Sequence, residues 1–333
     1  MRPFRIAVDT RWINGGIGRF YREVSTRLSQ ADVALTDLRV TASIANPLSP
    51  LLLAKSLARA HCDIFWSPGF MPPMESAIPT VITIHDLIHR AHGGLLRRAY
   101  YDHCIKPLAR KASSILTVSR YSRDLIRDWL DDDSVDVRVV GNGVSSVFHP
   151  NGPALVLGAP YLLYVGNYRA HKNIERMLRA FAAARLDKAV LLVLAGEAHS
   201  SVVEMARRLG ISHRVRFLGG ISEEGLATAY RGALCVLQVS LVEGFGLAVI
   251  EGMACGTPVI CSETTSLGEI GCDAALLVDP ESVENMTVAI ESLQTNTDLL
   301  STMREKGIER ARNFKWETVT LRTLDAIREA AIQ

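Results

Sequence analysis

The sequence lacks the features of several protein classes. Among its 333 residues, apolar runs such as AVLLVLA at 189–195 fall far short of the roughly 20 residues that a membrane-spanning helix needs. The start, MRPFRIAVDT, has too few apolar residues before Asp9 to form the core of a signal peptide. These absences predict a cytoplasmic protein without a transmembrane helix.

An excess of one charge sign is also missing. Lys and Arg (37) nearly balance Asp and Glu (35), so no global field attracts nucleic acid and such a partner is not expected. The six cysteines form no C-x-x-C pair, which predicts mostly buried thiols and no zinc site. We interpret the run DDDS at 131–134 as a solvated turn rather than a metal site.

Short apolar runs alternate with longer helical patterns along the whole chain. Tyr161–Val165 and Val190–Ala195 are examples of the runs, and this alternation predicts an α/β fold with parallel sheets. The Gly- and Pro-rich connection NGPALVLGAP starts at residue 151. We therefore predict two doubly wound, Rossmann-like domains, 1–150 and 151–315, with the ligand in the cleft between them.

A glycine turn lies between two glutamates in the stretch SLVEGFGLAVIEGMACG. Glu243 precedes the Gly-Phe-Gly turn, and Glu251 lies inside a helix predicted to begin near Leu247. The start of a helix favours a phosphate, and carboxylates accept hydrogen bonds from sugar hydroxyls. The pattern indicates a nucleotide-sugar site, although Glu243 alone would be interpreted as a solvated loop residue and Glu251 alone as an ordinary first-turn acid.

A second candidate site follows another strand in YVGNYRAHKNI. Lys172 lies at the entrance of a helix that Asn173 is expected to cap, with Arg169 and His171 nearby. The Lys172 ammonium can neutralise a phosphate there. A basic surface loop explains Lys172 alone equally well.

Two further motifs follow predicted strands. VITIHDLIH places His85 at the end of one strand, where a lone histidine is more often structural than catalytic. RWINGGIGRF places Gly16 in a loop ahead of a helix predicted over Gly18–Leu28. Tyr21 occupies the position of the third glycine of a dinucleotide fingerprint, so a nicotinamide-dependent dehydrogenase is disfavoured.

Together these motifs resemble the retaining glycosyltransferases of family 4, which have the GT-B fold and include bacterial mannosyltransferases. The order and spacing of the motifs carry the resemblance, and they span nearly the whole chain. They are GGIG at Gly15, TIHDLIH at Thr83, TVSRYSRDLI at Thr117, NGVSSVFHP at Asn142, YVGNYRAHKNI at Tyr164, RVRFLGGIS at Arg214 and the glutamate stretch.

The resemblance implies a role for each candidate residue. The first glutamate of the family contacts the transferred sugar and the second contacts the ribose, which implies these roles for Glu243 and Glu251. Lys172 is the implied phosphate contact. Many relatives carry an arginine where this chain has Asn167, and Arg169 is expected to supply that charge instead. The other implied donor contacts are the turn residues Gly244, Phe245, Gly246 and Leu247, the base-reading strip Gly220 and Ile221, and His85 and Gly16.

The resemblance also implies an activity. A hexose, with GDP-mannose the favoured donor, would move with retention to a glycan or lipid-linked glycan acceptor in polysaccharide or lipopolysaccharide biosynthesis. Catalysis would involve His85, Glu243 and Lys172 and no metal or other cofactor. The helix in 316–333 is expected to pack back on the acceptor-binding N-terminal domain. Two alternatives stay open, a UDP-sugar donor and a non-catalytic partner subunit.

One basic segment bears on the acceptor. LLRRAYYDHCIKPLARKA, residues 95–112, combines Arg97, Arg98, Lys106, Arg110 and Lys111 with aromatic and aliphatic residues. A helix that docks on an anionic membrane has this composition, which predicts peripheral contact at the inner face of a membrane. A solvated helix face explains the segment equally well.

Overall fold

The chain folds into two compact units. The computed structural model describes residues 3–13, 15–30, 32–44 and 46–332. The first unit comprises residues up to Gly143 together with those from Lys315 onwards, and the second comprises Val144–Phe314. The boundary thus lies between Gly143 and Val144, not between residues 150 and 151 as predicted.

Backbone and ring contacts explain the earlier boundary. The Val144 amide donates to the carbonyl of Phe314 at 3.0 Å, and the Phe148 ring meets the Tyr230 ring with centroids 5.8 Å apart. Arg231 donates to the carbonyl of His149 at 3.2 Å. Residues 144–149 are therefore part of the second unit.

The first unit contains a parallel sheet with the strand order β2-β1-β3-β4-β5-β6. The residues of β3, β4 and β5 are buried throughout, as expected for central strands covered by helices on both faces. The strands are β1 (Phe4–Val8), β2 (Val33–Asp37), β3 (Ile64–Ser67), β4 (Thr80–Thr83), β5 (Ser114–Thr117) and β6 (Val137–Val139). The helices before residue 143 are α1 (Gly15–Leu28), α2 (Ser49–Leu57), α3 (Ile88–His92), α4 (Leu95–Tyr100), α5 (Lys106–Ala109) and α6 (Arg120–Leu130).

The second unit contains a parallel sheet with the order β12-β11-β10-β7-β8-β9. The chain forms β7 in the middle of this sheet and adds β8 and β9 on one side. It then returns to the middle with β10, and β11 and β12 extend the sheet on the other side. The strands are β7 (Tyr161–Val165), β8 (Leu191–Ala195), β9 (Val215–Phe217), β10 (Cys235–Gln238), β11 (Val259–Ser262) and β12 (Leu276–Val278). The helices are α7 (Ile174–Ala183), α8 (Ser200–Arg208), α9 (Glu223–Gly232), α10 (Leu247–Ala254), α11 (Thr265–Gly271), α12 (Val283–Thr295) and α13 (Thr297–Ala311).

The last helix, α14 (Trp316–Ala330), belongs to the first unit. Trp316 is buried, and its ring packs edge-on against Phe20 of α1 with centroids 6.2 Å apart. A Cβ at Gly143 would lie 2.6 Å from the Trp316 ring, so only glycine leaves room for this side chain. The C-terminal helix thus completes the core of the first unit.

Two sequence predictions concern membranes and thiols. Within the described residues, none of the helices combines the length and apolar composition needed to cross a bilayer. All six cysteines are free thiols, and Cys235, Cys255 and Cys261 are buried. Cys104 and Cys272 are exposed, so the expectation of buried thiols is wrong for these two.

Trp316→Ala is expected to lower the free energy of unfolding of the first unit by about 3–5 kcal/mol, because it leaves a large cavity beside Phe20. Leu321→Ala is the matched control in the same helix, since the Leu321 side chain is 61% exposed, and it should change stability by about 0.5 kcal/mol or less. Urea unfolding followed by circular dichroism measures both. Equal effects of the two substitutions would contradict the packing of α14.

Candidate functional site

The carboxyl ends of β7 and β10 carry two of the predicted site residues. β7 pairs directly with β10, and the direction of strand order reverses between them. Ligands of doubly wound sheets bind beyond the strand ends at such a reversal. Lys172 follows β7 and Glu243 follows β10, so the reversal brings these two residues together.

Lys172 and Glu243 form an ion pair. The Lys172 ammonium donates a hydrogen bond to Oε1 of Glu243, and the Ser240 hydroxyl donates to the same oxygen at 3.0 Å. The Lys172 and Glu243 side chains are only 15% and 13% exposed, so water screens the pair less than a pair on the open surface. The site therefore holds a cation and an anion that neutralise each other.

Asn173 fixes the loop that carries Lys172. It adopts a left-handed conformation with φ 61°, and its Nδ2 donates to the carbonyls of Val239 at 2.9 Å and Pro280 at 2.6 Å. The prediction that the Asn173 side chain caps α7 is wrong, because its buried amide connects the loop to the end of β10 instead. Lys172 is thereby held next to the loop of Glu243.

Arg169 and Asn167 lie on the exposed part of the same loop. The Asn167 side chain accepts a hydrogen bond from the Arg169 backbone amide at 3.2 Å. The backbone carbonyl of Asn167 accepts one from the Tyr164 hydroxyl at 2.6 Å. Burial, and to a smaller extent the charge of Glu243, raises the pKa of Tyr164 well above its ordinary value, so this donor keeps its proton. Asn167 thus orders the backbone, and phosphate binding by Arg169 stays a prediction.

The turn after Glu243 depends on Gly246 and Ser266. Gly246 has φ 107°, a conformation that L side chains rarely adopt. The Ser266 hydroxyl lies 2.8 Å from the carbonyl oxygen of Glu243 and 3.0 Å from that of Phe245, which holds the turn in place. α10 begins at Leu247, and the first N–H groups of a helix have no acceptor within it. The start of α10 therefore suits an anion.

Gly244 and Phe245 lie inside the turn and are buried. The Phe245 ring meets the Phe314 ring edge-on with centroids 5.8 Å apart. The side chain of Phe245 thus anchors the turn in the core of the second unit. Any ligand contact of Phe245 is left to its backbone, as the resemblance implies.

Glu251 lies one turn inside α10 and is buried, with 3% of its surface exposed. The Tyr230 hydroxyl of α9 donates to its Oε2 at 2.9 Å. A buried carboxylate needs such partners, because burial without them costs free energy. Tyr230 was not identified from the sequence, and no local pattern pairs a residue of α9 with one of α10.

The strip of Gly220 and Ile221 follows β9 and precedes α9. The Gly220 amide donates to Oε1 of Glu197 at 3.0 Å, and Gly219 has φ 68°. Glu197 follows β8, at the same edge of the sheet, and was missed in the sequence analysis. Its position two residues after a buried strand is the signal that could have identified it.

His85 follows β4 in the first unit. Its Nε2 lies 2.9 Å from the carbonyl oxygen of Pro68, and its ring packs edge-on against Phe20 with centroids 5.0 Å apart. A carbonyl only accepts, so Nε2 carries the proton and Nδ1 is the acceptor of the neutral ring. Burial lowers the pKa of His85, against smaller opposite effects of the Pro68 carbonyl and Asp86.

Gly16 lies in the first turn of α1, because this helix begins at Gly15 and not at Gly18. The prediction of a glycine loop ahead of the helix is therefore wrong at this point. A Cβ at Gly18 would lie 2.3 Å from the carbonyl of Ile13, so the glycine allows the helix to fold back on its own entry segment. The preceding strand end is fixed by Arg11, which donates to both oxygens of buried Asp9 at 2.8 Å.

The acidic run at 131–133 lies at the end of α6. Asp132 accepts a hydrogen bond from the Ser134 amide at 3.0 Å, which is typical of a turn. Within the described ranges, no three His, Cys, Asp or Glu side chains are grouped so that they could hold a metal ion. Metal independence stays a prediction.

Two family models match the chain. The model described as glycosyl transferases group 1 matches residues 149–313, and the model described as glycosyltransferase family 4 matches residues 38–148. The chain is 30% identical over 284 residues to the O-antigen chain mannosyltransferase B of Escherichia coli, covering 79% of this chain and 73% of that protein. It is also 30% identical over 290 residues to an MMP alpha-(1->4)-mannosyltransferase of Mycolicibacterium hassiacum, covering 79% and 68%.

Solved structures share the fold at low sequence identity. The sucrose-phosphate synthase of Thermosynechococcus elongatus superimposes with a TM-score of 0.81 at 20% identity, covering 98% of this chain and 99% of that one. HepE of Anabaena, in complex with UDP-glucose, superimposes with a TM-score of 0.74 at 16% identity, covering 98% and 99%.

Fold and family matches together define the protein as a glycosyltransferase with the GT-B fold. The chain belongs to glycosyltransferase family 4, and the sequence-based assignment to this family is confirmed.

Gly246→Ala is expected to lower the free energy of unfolding by about 2–3 kcal/mol, since it adds backbone strain and a clash. The new Cβ would lie 2.5 Å from Cδ2 of Leu267, which is fully buried. Gly210→Ala is the control, because Gly210 has φ 71° with nothing within 4 Å of its Cβ position, and it should cost about 1 kcal/mol. Equal losses in urea unfolding would mean that the clash with Leu267 contributes nothing.

The lowered pKa of His85 predicts a titration midpoint below about 6.5 in the folded protein. The unfolded chain then takes up the proton first, so the free energy of unfolding falls as pH falls from about 6.5 to the folded pKa. Titration of the imidazole C2 protons by NMR measures the midpoint, with the His85 signal identified by its loss in His85→Gln. A midpoint at or above the ordinary value would contradict the effect of burial.

Proposed function

We propose that this glycosyltransferase moves a hexose from a nucleoside diphosphate to a glycan or lipid-linked glycan acceptor, with retention, in polysaccharide or lipopolysaccharide biosynthesis. The single observation that carries the proposal is the Lys172–Glu243 pair at the strand reversal, beside the start of α10. This arrangement combines a phosphate-binding cation, helix amides and a hydroxyl-binding carboxylate within one unit. Those three groups match the parts of a nucleotide-sugar.

Binding of the donor would separate the ion pair, since Lys172 would bind the diphosphate and Glu243 would bind the sugar. A diphosphate offers Lys172 a stronger negative charge than a single carboxylate does, and the start of α10 adds its positive end. Release of Lys172 leaves Glu243 free to accept hydrogen bonds from hydroxyls of the sugar. Ser240 keeps the carboxylate in place during this exchange, since it donates to Oε1 at 3.0 Å.

Glu251 would accept hydrogen bonds from the ribose. It lies one turn inside the helix whose start we assign to the diphosphate, and Tyr230 holds its carboxylate at 2.9 Å. The Tyr230 hydroxyl thus restricts the rotation of the carboxylate. In this proposal the base lies near Gly220 and Ile221, whose backbone is shaped by the bond from the Gly220 amide to Glu197.

Stabilisation of the leaving diphosphate would supply most of the catalysis. Negative charge builds up on the leaving group as the glycosidic bond breaks, and Lys172 and the α10 amides face that charge without a metal ion. The donor phosphate would take the acceptor proton on the face where the bond forms, which preserves the anomeric configuration. This route requires no carboxylate nucleophile, and none is assigned.

Mannose is the proposed sugar because two relatives are named as mannosyltransferases. GDP-mannose is therefore the proposed donor. The UDP-glucose in the HepE structure keeps a UDP-sugar as the alternative. A non-catalytic partner subunit is the second candidate function, because Asn167 stands where the family resemblance implies an arginine.

Calorimetric binding of GDP, UDP and ADP to the whole protein, in excess EDTA, tests the proposal. GDP should bind. Lys172→Ala should lower the affinity for GDP by about 10- to 100-fold, because one charge-assisted hydrogen bond is lost. Lys188→Ala is the control, since Lys188 is an exposed lysine of the same unit. Preference for UDP would change the donor and keep the enzyme, whereas binding of none of the nucleotides would favour the non-catalytic subunit.

A further inference from the structure

Two consecutive leucines at the start of α4 are almost fully exposed. The side chains of Leu95 and Leu96 are 85% and 90% exposed. Within the described ranges, no other pair of neighbouring large apolar residues is exposed to this extent. We propose that Leu95, Leu96, Arg97 and Arg98, here called the leucine tip, dock on an anionic membrane surface.

A rigid base supports the leucine tip. Arg90 of α3 donates to both oxygens of Asp102, at 2.6 Å and 3.1 Å, and the Trp129 indole of α6 donates to the same carboxylate at 2.8 Å. A Cβ at Gly93 would lie 2.4 Å from Cδ of Arg97, so the stem of Arg97 packs directly on the turn before α4. The leucines are therefore presented by an ordered hairpin.

The helix expected over residues 95–112 runs without a gap from Leu95 to Ala109. It contains a π-helical turn at Tyr101–Ile105 between α4 and α5. Tyr101, Ile105, Ala109 and Ala112 are buried in the first unit and face away from any partner. The apolar surface that is left for docking is thus Leu95 and Leu96, a smaller patch than the sequence suggested.

The charges around the leucine tip favour an anionic partner. Residues 88–112 contain six basic residues and one acidic residue, whereas the whole chain has a formal net charge of only +2. Arg90 is bound to Asp102, and Arg110 donates to the carbonyls of Leu130 and Asp131 at the end of α6. The Arg98 side chain remains 63% exposed and lies 3.8 Å from Asp102. Lys111 is also exposed.

A membrane fits this surface better than a second copy of the chain does. Stable protein interfaces bury about 1,200 Å² or more, which two leucines cannot supply. A symmetric pair of copies would also bring the two basic segments together, and their like charges would repel. An anionic bilayer attracts the basic residues and accepts leucine side chains among its acyl chains, which is the usual combination at membrane interfaces.

The inference rests on the lipid-linked acceptor of the proposed function and extends it. Docking through the leucine tip would hold the first unit at the surface where such an acceptor is anchored. Membrane binding and nucleotide binding are measured separately, so either can fail without the other.

Flotation of the full-length protein with lipid vesicles tests the inference. Vesicles of phosphatidylcholine with phosphatidylglycerol should carry the protein at low salt, and vesicles of phosphatidylcholine alone should not. Leu95→Ser/Leu96→Ser should lower the bound fraction roughly tenfold or more, because the two exposed apolar side chains that enter the bilayer are lost. Arg98→Glu should lower it severalfold, and high salt should weaken binding of the unchanged protein.

Val156→Ser is the matched control, since the Val156 side chain is 84% exposed, and it should bind vesicles like the unchanged protein. GDP affinity and melting temperature should be unchanged in all variants, which separates docking from folding and donor binding. Three results would overturn the inference. These are no flotation of the unchanged protein, equal flotation of the double-leucine variant, and a shift from dimer to monomer caused by that variant.

Discussion

The pairing of β7 with β10 is the constraint on which the candidate site depends. These strands are far apart in the sequence, and their contact places the loop of Lys172 beside the loop of Glu243. Opposite charges then form a pair in a partly buried edge of the sheet, where water screens them weakly. A different strand order would separate the ammonium from the carboxylate, even with every local motif kept.

Buried polar side chains determine the geometry of this edge of the sheet through their hydrogen bonds. Asn173 joins the loop after β7 to the end of β10, and Ser266 holds the two carbonyls of the Gly-Phe-Gly turn. The Tyr230 hydroxyl of the neighbouring helix α9 donates a hydrogen bond to the Glu251 carboxylate and holds it in place. Buried polar groups need hydrogen-bond partners, so each of these bonds fixes geometry as well as satisfying a donor or acceptor. These hydrogen bonds therefore fix the geometry of the candidate site.

Strands with buried side chains on both faces could be predicted closely. β7 (Tyr161–Val165) has the bounds predicted for it, since continuous apolar runs mark central parallel strands. β2 was missed because this edge strand ends in exposed residues, and its pattern VALTD is only partly apolar. The segment at 95–112 was interpreted as one helix, and helical residues do run without a gap from Leu95 to Ala109, but a π-helical turn at Tyr101–Ile105 interrupts the α-helical pattern. The composition of a segment does not reveal such interruptions.

The sequence by itself determined the fold class, the family, and the residue types available at the candidate site. Those properties follow from local periodicity and from motifs that keep their spacing along the chain. Only the tertiary structure decided that Lys172 and Glu243 neutralise each other and that Glu251 is buried against Tyr230. These contacts join residues distant in sequence, and their geometry is set by strand order and core packing, which no local pattern encodes.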